Sequence, residues 1–275
     1  MEIRSVVSVY FSPTGTTRRV VESVLSGIGA DGHTVLDVTK KIHRMQVAPF
    51  SANERVILAA PVYYGRIPEA AKESFRSLAG AGTPAVIIVV YGNRAYDDAL
   101  LELHDIAIDR GFIPVAAGVF IGEHSYSSEI LPLAGGRPDA SDLEKARMFG
   151  SLIHEKLLRV PTMQDAQING VPGERPYIEP EGLYRLQEAR KNTPFAPQTD
   201  GSLCTRCNRC VEACPQDAID PLNILVTQSR ECIMCFACIK ACPVHARRMA
   251  EPAFFLRVKE IFEKCRERKE PEWYL

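Results

Sequence analysis

A doubled cysteine run near the carboxyl end constrains this chain of 275 residues more than any other feature. Residues 204–215 have the pattern C-x2-C-x2-C-x3-C-P, and residues 232–243 repeat it at an offset of 28 residues. Three thiolates at three-residue intervals on a tight loop can be directed at one metal–sulfur centre. The fourth thiolate follows a wider gap and points away, so the spacing predicts two centres with crossed ligation.

This run is the ligand pattern of two-cluster [4Fe–4S] proteins. Zinc ribbons use two cysteine pairs instead of triplets with a Cys-Pro ending. Disulfides fit poorly, because the N-terminus lacks the order of a secretory signal. The predicted metal ligands are Cys204, Cys207, Cys210 and Cys242 for cluster I, and Cys232, Cys235, Cys238 and Cys214 for cluster II.

Length and composition bound the remaining possibilities. A chain of 275 residues with 46% hydrophobic and 24% charged residues predicts two globular domains. No apolar run approaches the roughly 18 residues of a membrane span. The formal net charge of −1 gives no reason to propose a nucleic-acid partner. Thiolate-ligated clusters favour a reducing compartment, so we expect a cytoplasmic protein.

The first 160 residues alternate between strand and helix patterns. Residues 3–11, 33–38, 55–60, 84–90 and 112–121 are β-branched or apolar runs, which are typical of buried strands. Helical spacing follows the first strand and the last three, with helices predicted over 68–79, 95–110 and 139–158. Residues 27–32 match G-x-G-x-x-G, but they follow a helix, so a helix C-cap is the better interpretation. The pattern predicts an α/β fold with a doubly wound, five-stranded parallel sheet.

Three loops at the carboxyl ends of these strands carry candidate ligand-binding residues. Residues 12–17 (SPTGTT) join the first strand to a helix N-terminus, which suits an anion. The alternative is a capped turn with Thr16 or Thr17 as the N-cap. Residues 61–68 and 91–98 combine tyrosines with glycine, which suits a flat ring stacked between aromatics. Ordinary surface turns remain the alternative for these two loops.

The loop SPTGTT resembles the [ST]-x-T-G-x-T phosphate loop of flavodoxins, and the two tyrosine loops resemble their isoalloxazine-binding loops. The resemblance implies that residues 12–17 bind the 5′-phosphate of FMN. It also implies that residues 63–65 contact one side of the flavin ring and residues 91–96 the other. The resulting candidate FMN-binding residues are Ser12, Thr14, Gly15, Thr16, Thr17, Pro61, Val62, Tyr63, Tyr64, Gly65, Tyr91, Gly92, Asn93, Arg94 and Tyr96.

The whole chain resembles the flavodoxin–ferredoxin fusion proteins, a kind of iron–sulfur flavoprotein. The resemblance implies a flavodoxin-like FMN-binding domain over residues 1–160 and a small α+β two-cluster ferredoxin domain over 201–250. Six prolines among residues 160–200 predict a linker over 161–200, with a short helix at 182–191. Residues 251–275 are expected to form a C-terminal helix and tail.

Four further features lead to expectations about packing. The loop 122–138 is long enough to cover the flavin or to dock the second domain; we favour a covering loop over an acid–base pair of Glu123 and His124. Cys265 lies outside both cysteine runs and is interpreted as a bystander thiol. In the C-terminal helix, Phe255, Val258 and Phe262 are expected to form the packed face. Apolar packing around the clusters is predicted for Ile219, Ile224, Val226, Ile233, Phe236 and Ile239.

These features support three functional hypotheses. The first is an electron carrier that passes single electrons between two [4Fe–4S] clusters and FMN and links redox-protein partners. The second is an FMN-dependent oxidoreductase that reduces a small substrate with electrons fed through the clusters. The third is a non-enzymatic redox-sensing or docking module. The sequence leaves open whether flavin and clusters meet within one chain or across a homodimer.

Overall fold

The computed structural model describes residues 5–30, 32–44, 50, 54–189, 191 and 195–275. Five parallel strands form the sheet that the sequence predicts, in the order β2-β1-β3-β4-β5. This is the flavodoxin-like order, and positions 3 and 4 of the predicted first strand lie outside the described residues. The strands are β1 (Ser5–Tyr10), β2 (Gly32–Asp37), β3 (Arg55–Pro61), β4 (Pro84–Tyr91) and β5 (Ile113–Ile121).

Helices cover both faces of this sheet. On one face, α1 (Thr16–Ile28) packs against α4 (Ala140–Arg159). Their backbones approach closely, because a Cβ at Gly27 would lie 1.9 Å from the carbonyl oxygen of Arg147. The opposite face carries α2 (Glu69–Arg76) and α3 (Ala99–Asp109). Strands β3 and β4 are therefore buried on both faces, which explains their continuous apolar sequences.

Two local features of the first domain bear on the predictions. Gly29 is the C-cap of α1 and has a φ of 66°, as the helix-end interpretation of the glycine pattern predicts. After β2, a short 3₁₀ helix (Lys41–His43) brings Arg44 toward the second domain.

The linker lies along the first domain. The Asp98 carboxylate accepts hydrogen bonds from the backbone N–H groups of Glu174 (3.0 Å) and Ile178 (2.6 Å). Helix α5 (Glu181–Ala189) follows. The helix predicted over 182–191 thus begins one residue earlier, and its position 190 lies outside the described residues. These two bonds hold residues 174–178 against the first domain.

Two short helices and a two-stranded ribbon form the cysteine-rich region. The helices are α6 (Arg209–Ala213) and α7 (Ala237–Lys240), each at the third cysteine of its run. Strands β6 (Gln198–Thr199) and β7 (Arg247–Arg248) pair antiparallel and close the region. In the described part of the chain, no helix combines the length and hydropathy needed to cross a membrane.

The last 24 residues return to the first domain. Helix α8 (Pro252–Lys264) packs through Phe254 and Val258. Phe255, which was predicted to belong to the packed face, is 53% exposed, so that assignment was wrong and Phe254 takes its place. The register that satisfies burial is 254, 258 and 262, with four-residue steps. Strand β8 (Glu272–Tyr274) then adds antiparallel to β5, where Trp273 stacks on Phe149 with ring centroids 6.0 Å apart.

Candidate redox sites

The loop after β1 leads directly into the N-terminus of α1. Gly15 is the N-cap with a φ of 82° and has no side chain to cap the helix, so the alternative with Thr16 or Thr17 as N-cap was wrong. Thr16 and Thr17 occupy the first turn, where backbone N–H groups have no acceptor within the helix. The Thr17 hydroxyl is buried and has no hydrogen-bond partner among the described residues. A phosphate oxygen is the kind of acceptor that these donors lack.

Ser12 stabilises this loop through two hydrogen bonds. Its hydroxyl accepts a hydrogen bond from the backbone N–H of Arg18 (3.0 Å), and its own N–H donates to the Thr39 hydroxyl (2.8 Å). The Ser12 side chain is therefore engaged in holding the turn. Thr14 and Thr16 face the neighbouring cleft instead.

A cleft of about 510 Å³ opens beside the loop. This volume falls in the range of small-molecule and cofactor sites. The predicted flavin loops supply much of its wall, so the residues present fit a flavin. Nine of the predicted FMN-binding residues line it: Thr14, Thr16, Pro61, Val62, Tyr63, Tyr64, Tyr91, Gly92 and Arg94.

Asn93 and Tyr96, also predicted to contact flavin, have side chains engaged by the C-terminal segment. The Asn93 amide donates to the carbonyl oxygens of Cys265 and Glu267, both at 2.8 Å. The Tyr96 hydroxyl donates to the Glu272 carboxylate at 3.2 Å. These partners lie more than 170 positions away in the sequence, so no local sequence pattern could predict them.

Gly65 supports the cleft through backbone geometry. It has a φ of 80°, within a turn closed by paired hydrogen bonds between Tyr63 and Arg66. A Cβ at this position would lie 2.5 Å from the Asp97 carboxylate. The glycine therefore lets the two tyrosine loops approach each other.

The long loop 122–138 both lines the cleft and contacts the second domain. His124 packs over Gly92, where a Cβ would lie 2.4 Å from the imidazole Cδ2. Burial, and then the charges of Lys240 and Arg94, lower the pKa of His124 to about 4, so the ring is neutral at pH 7. Its Nδ1 accepts from the Tyr126 N–H at 3.0 Å. Glu123 pairs with Lys240 of α7 at 2.8 Å, an interdomain contact that is not an acid–base arrangement with His124.

Aromatic side chains join the cleft to the second cysteine run. The hydroxyls of Tyr64 and Tyr126 lie 3.4 Å apart, and the Tyr126 ring lies 4.8 Å from Phe236. Phe236 in turn stacks on Phe254 of α8 at 5.2 Å. Ile233 and Met234, which lie between Cys232 and Cys235, line the same cleft as the flavin loops. Phe236 was predicted from the sequence to pack around a cluster, whereas Tyr126 and Phe254 were not.

The four predicted ligands of cluster I surround one small cavity. Cys204, Cys207, Cys210 and Cys242 all line it, so the fourth cysteine of the second run meets the first triplet. This is the arrangement that crossed ligation requires. Cys207 is exposed, whereas Cys210 is buried.

The predicted ligands of cluster II also lie together. Cys235 and Cys238 are buried, and burial together with the neighbouring Cys238, Cys232 and Cys214 thiols raises the pKa of Cys235. The Sγ atoms of the fourth cysteines accept backbone hydrogen bonds, Cys214 from Ala218 (3.3 Å) and Cys242 from Ala246 (3.2 Å). Such N–H···S bonds tune iron–sulfur centres. Among the described residues, no group of three or more His, Cys, Asp or Glu is placed to hold a single metal ion.

Most of the apolar packing predicted around the clusters is buried or half-buried. Ile219, Ile224 and Phe236 are buried, and Ile233 and Ile239 are half-buried. Val226 is 47% exposed, so its assignment was wrong. It lies in a turn at the domain surface, where its backbone N–H bonds to Asn223.

Two basic side chains of the first domain hold the cysteine-rich region. Lys40 donates to the carbonyl oxygens of Glu212 and, at 3.1 Å, Cys214. Arg44 is buried and donates to the carbonyl oxygen of Pro215 (2.6 Å) and to the Gln216 side chain (2.8 Å). Both donors come from the segment after β2, which the sequence did not mark as functional.

The cysteine-rich region matches a known protein family, and the first domain is similar to solved structures. Residues 196–243 match the family described as 4Fe-4S dicluster domain. A flavodoxin from Archaea is 16% identical over 56% of this chain and 99% of its own, with a TM-score of 0.39. Flavodoxin 2 from Bacillus cereus is 13% identical over 55% and 99%, with a TM-score of 0.40. No curated protein matched. The chain thus joins a flavodoxin-like fold to a 4Fe–4S dicluster domain.

Proposed function

We propose that this chain is an electron-transfer iron–sulfur flavoprotein that passes single electrons between two [4Fe–4S] clusters and FMN. The observation that carries the proposal is the shared cleft. Its wall combines the phosphate-loop threonines, the two tyrosine loops and residues 233–234 of the second cysteine run. When bound, FMN exchanges one or two electrons and each cluster exchanges one.

Different residues of the cleft would bind the phosphate and the ring of FMN. The N-terminus of α1, with Thr14, Thr16 and Thr17, binds the anionic phosphate. Tyr63, Tyr64 and Tyr91 supply aromatic surface for the flavin ring. His124 stays neutral and Tyr126 stays protonated at pH 7, because burial lowers the pKa of the first and raises that of the second. The ring environment therefore adds no charge that would vary with pH near neutrality.

The order of the centres follows from burial. Met234 lines the cleft and Phe236 packs on Tyr126 of its wall, which supports the proposal that cluster II is the centre next to the flavin. Cys207 is exposed, so the first triplet lies on the solvent side and is the entry point for a redox partner. Flavin and clusters then communicate within one chain, through cluster II.

Anaerobic reconstitution tests the cofactors. The protein should bind about eight irons and one FMN per chain. Fewer than about six irons after careful reconstitution would count against two intact clusters. Replacing Thr14 and Thr16 together with glutamate should expel FMN by charge repulsion and leave the iron content unchanged; retained flavin would exclude the phosphate-loop assignment.

Electron transfer is tested with Cys235→Ser, which removes a predicted cluster II ligand. Reduced bacterial-type ferredoxin should bleach the flavin absorbance of the wild type in stopped-flow experiments, and at least tenfold more slowly in the variant. Cys265→Ser is the matched control, since it replaces another buried cysteine outside both runs. Equal rates in all three proteins would show that electrons bypass the clusters.

The oxidoreductase hypothesis is favoured by one observation. The cleft extends past the flavin loops to α5 and α8, where Leu186 and Ile261 add apolar wall and Arg185 and Arg257 lie at the side. A small substrate has room there beside the ring. Steady-state turnover on NAD(P)H, quinones or oxygen distinguishes the two functions: an electron carrier should show little, and fast turnover would favour the enzyme.

A further inference from the structure

Arg247 is a buried cation whose hydrogen-bond partners among the described residues are all uncharged. Its side chain is 2% exposed. The guanidinium donates to the hydroxyls of Thr199 (2.6 Å) and Thr227 (2.7 Å) and to the carbonyl oxygens of Pro197 (3.2 Å) and Ile224 (3.3 Å). Within the described ranges, no carboxylate forms an ion pair with it. A buried charge without an opposite charge is costly, so a compensating group is required.

The side chain lies between the two predicted cluster sites. Its Nη2 is 3.8 Å from the Sγ of Cys238, a predicted ligand of cluster II. It also lines the small cavity formed by the four predicted cluster I ligands. Its Nε is buried and has no partner among the described residues, so one donor remains unused. Thiolate-ligated clusters on both sides would supply the missing negative charge.

The internal repeat shows that the fold does not demand arginine here. The offset of 28 residues places Ile219 in the first run at the position that Arg247 takes in the second. The preceding alanines, Ala218 and Ala246, make equivalent N–H···S bonds of 3.3 and 3.2 Å. Both positions are buried, and the equivalent backbone position in the first run accommodates the apolar side chain of Ile219. The charge of Arg247 is therefore an addition to the shared scaffold.

We propose that Arg247 raises the reduction potential of both clusters, acting as one buried countercharge shared between them. The inference rests on the two-cluster assignment of the proposed function. An oxidised [4Fe–4S] core with four thiolates carries net negative charge, and each added electron increases it. A fixed positive charge stabilises the reduced form more than the oxidised form, and burial protects this interaction from screening. Cluster II should respond more strongly, because its Cys238 is the sulfur within reach of the guanidinium.

The test is a redox titration of the reconstituted protein, monitored by electron paramagnetic resonance. In Arg247→Met, the reduced-to-oxidised ratio of cluster II at fixed potential should fall at least tenfold, a shift of about 59 mV for one electron. Cluster I should shift in the same direction by a smaller factor. Arg247→Lys, which keeps the charge, should stay within about threefold of the wild type.

Arg248→Met is the matched control, because Arg248 is the next residue, is largely exposed and pairs with Asp200. Its loss should change the ratio less than threefold, since solvent screens it. Unchanged potentials in Arg247→Met with full iron content would overturn the inference, as would an equal shift in Arg248→Met. If Arg247→Met loses iron, Arg247→Gln is compared with Arg247→Lys, and equal potentials in those two overturn it. A wild type without two cluster signals instead overturns the proposed function.

Discussion

The two halves of the cysteine repeat have the same backbone but opposite surroundings. We call residues 204–219 the outer half and 232–247 the inner half. Left-handed residues recur at the 28-residue offset: Arg206 and Met234 (φ 56° and 58°), Asn208 and Phe236 (60° and 62°), and Asp217 and His245 (54° and 52°).

Side-chain polarity separates the two halves. Arg206 and Asn208 are exposed in the outer half, whereas Met234 and Phe236 are at most 7% exposed in the inner half. The inner half lines the cleft through residues 233–234. In the outer half, residues 205–209 are exposed, whereas Cys210, Cys214 and residues 218–219 are buried. The same ligand geometry can therefore serve two roles, because ligation depends on backbone and sulfur while docking depends on the intervening side chains.

Exchanging the residues at equivalent positions should produce the largest effect. Phe236→Asn removes a ring stacked on Phe254 and should lower the free energy of unfolding by about 3 kcal/mol, because a large buried side chain is lost. The reciprocal Asn208→Phe alters an exposed site and should cost only about 1 kcal/mol, from the strain of a bulky residue on left-handed backbone. Anaerobic denaturant titration measures both, and similar losses would contradict the difference between the halves.

The end of the outer half depends on Arg44. Arg44→Met leaves the Pro215 carbonyl and the Gln216 side chain without their donor and should destabilise the protein by about 2 kcal/mol. Lys41→Met, at an exposed position three residues earlier, is the control and should have no measurable effect. Chemical denaturation compares the two, and a neutral Arg44→Met would mean that this contact does not hold the domains together.

Flavin binding should affect the two halves differently. Thr17→Val deletes the buried hydroxyl that has no described partner and should weaken FMN binding about tenfold, or 1.4 kcal/mol. The flavin-free protein should be equally or more stable, because an unsatisfied buried group is removed.

Fluorescence titration with FMN measures this affinity, and Thr34→Val on the exposed side of β2 is the control. FMN added to the wild type should perturb the paramagnetic signal of cluster II more than that of cluster I. An unchanged affinity in Thr17→Val, or equal perturbation of both clusters, would contradict the arrangement.

The smallest effect is expected at the pair of Glu123 and Lys240. Burial alone would raise the pKa of Glu123, but the hydrogen bond and charge of Lys240 outweigh it and lower that pKa. Because both side chains are about 30% exposed, Glu123→Gln should lower the unfolding free energy by only about 0.5 kcal/mol. The difference should shrink in 1 M salt. Glu129→Gln, exposed in the same loop, is the control; a salt-independent loss would argue against an ionic contact.

Local patterns anticipated the parts of the molecule that local chemistry specifies. The strands were predictable because β-branched runs such as residues 84–90 are buried on both faces. The turn after β1 was marked by Gly15, since a tight βα turn needs a left-handed residue there. Loop 122–138 was recognised by its length, but its two roles became visible only through the contacts of Tyr126 and Glu123.

Other side chains were assigned by contacts that no spacing encodes. Asn93 and Tyr96 were predicted to contact flavin because of the loop in which they lie. Their side chains instead form hydrogen bonds with a segment more than 170 residues later in the sequence. Phe255 and Val226 were predicted to be packed, but both are exposed. The neighbouring Phe254 takes the buried position on α8, and Val226 lies in a turn at the domain surface.

The sequence by itself determined the alternation of strands and helices, and it predicted the ligand pattern and the crossed pairing of the two cysteine runs. These depend on short spacings and on the geometry of single elements. Only the tertiary structure decided that Glu272–Tyr274 forms a sixth strand, that Lys40 and Arg44 hold the second domain, and that Arg247 lies between the cluster sites. The reason is that these contacts join segments far apart in the sequence. Each depends on a group that only the folded chain brings near: the free edge of β5, the carbonyl oxygens of residues 212–215, or the sulfur of Cys238.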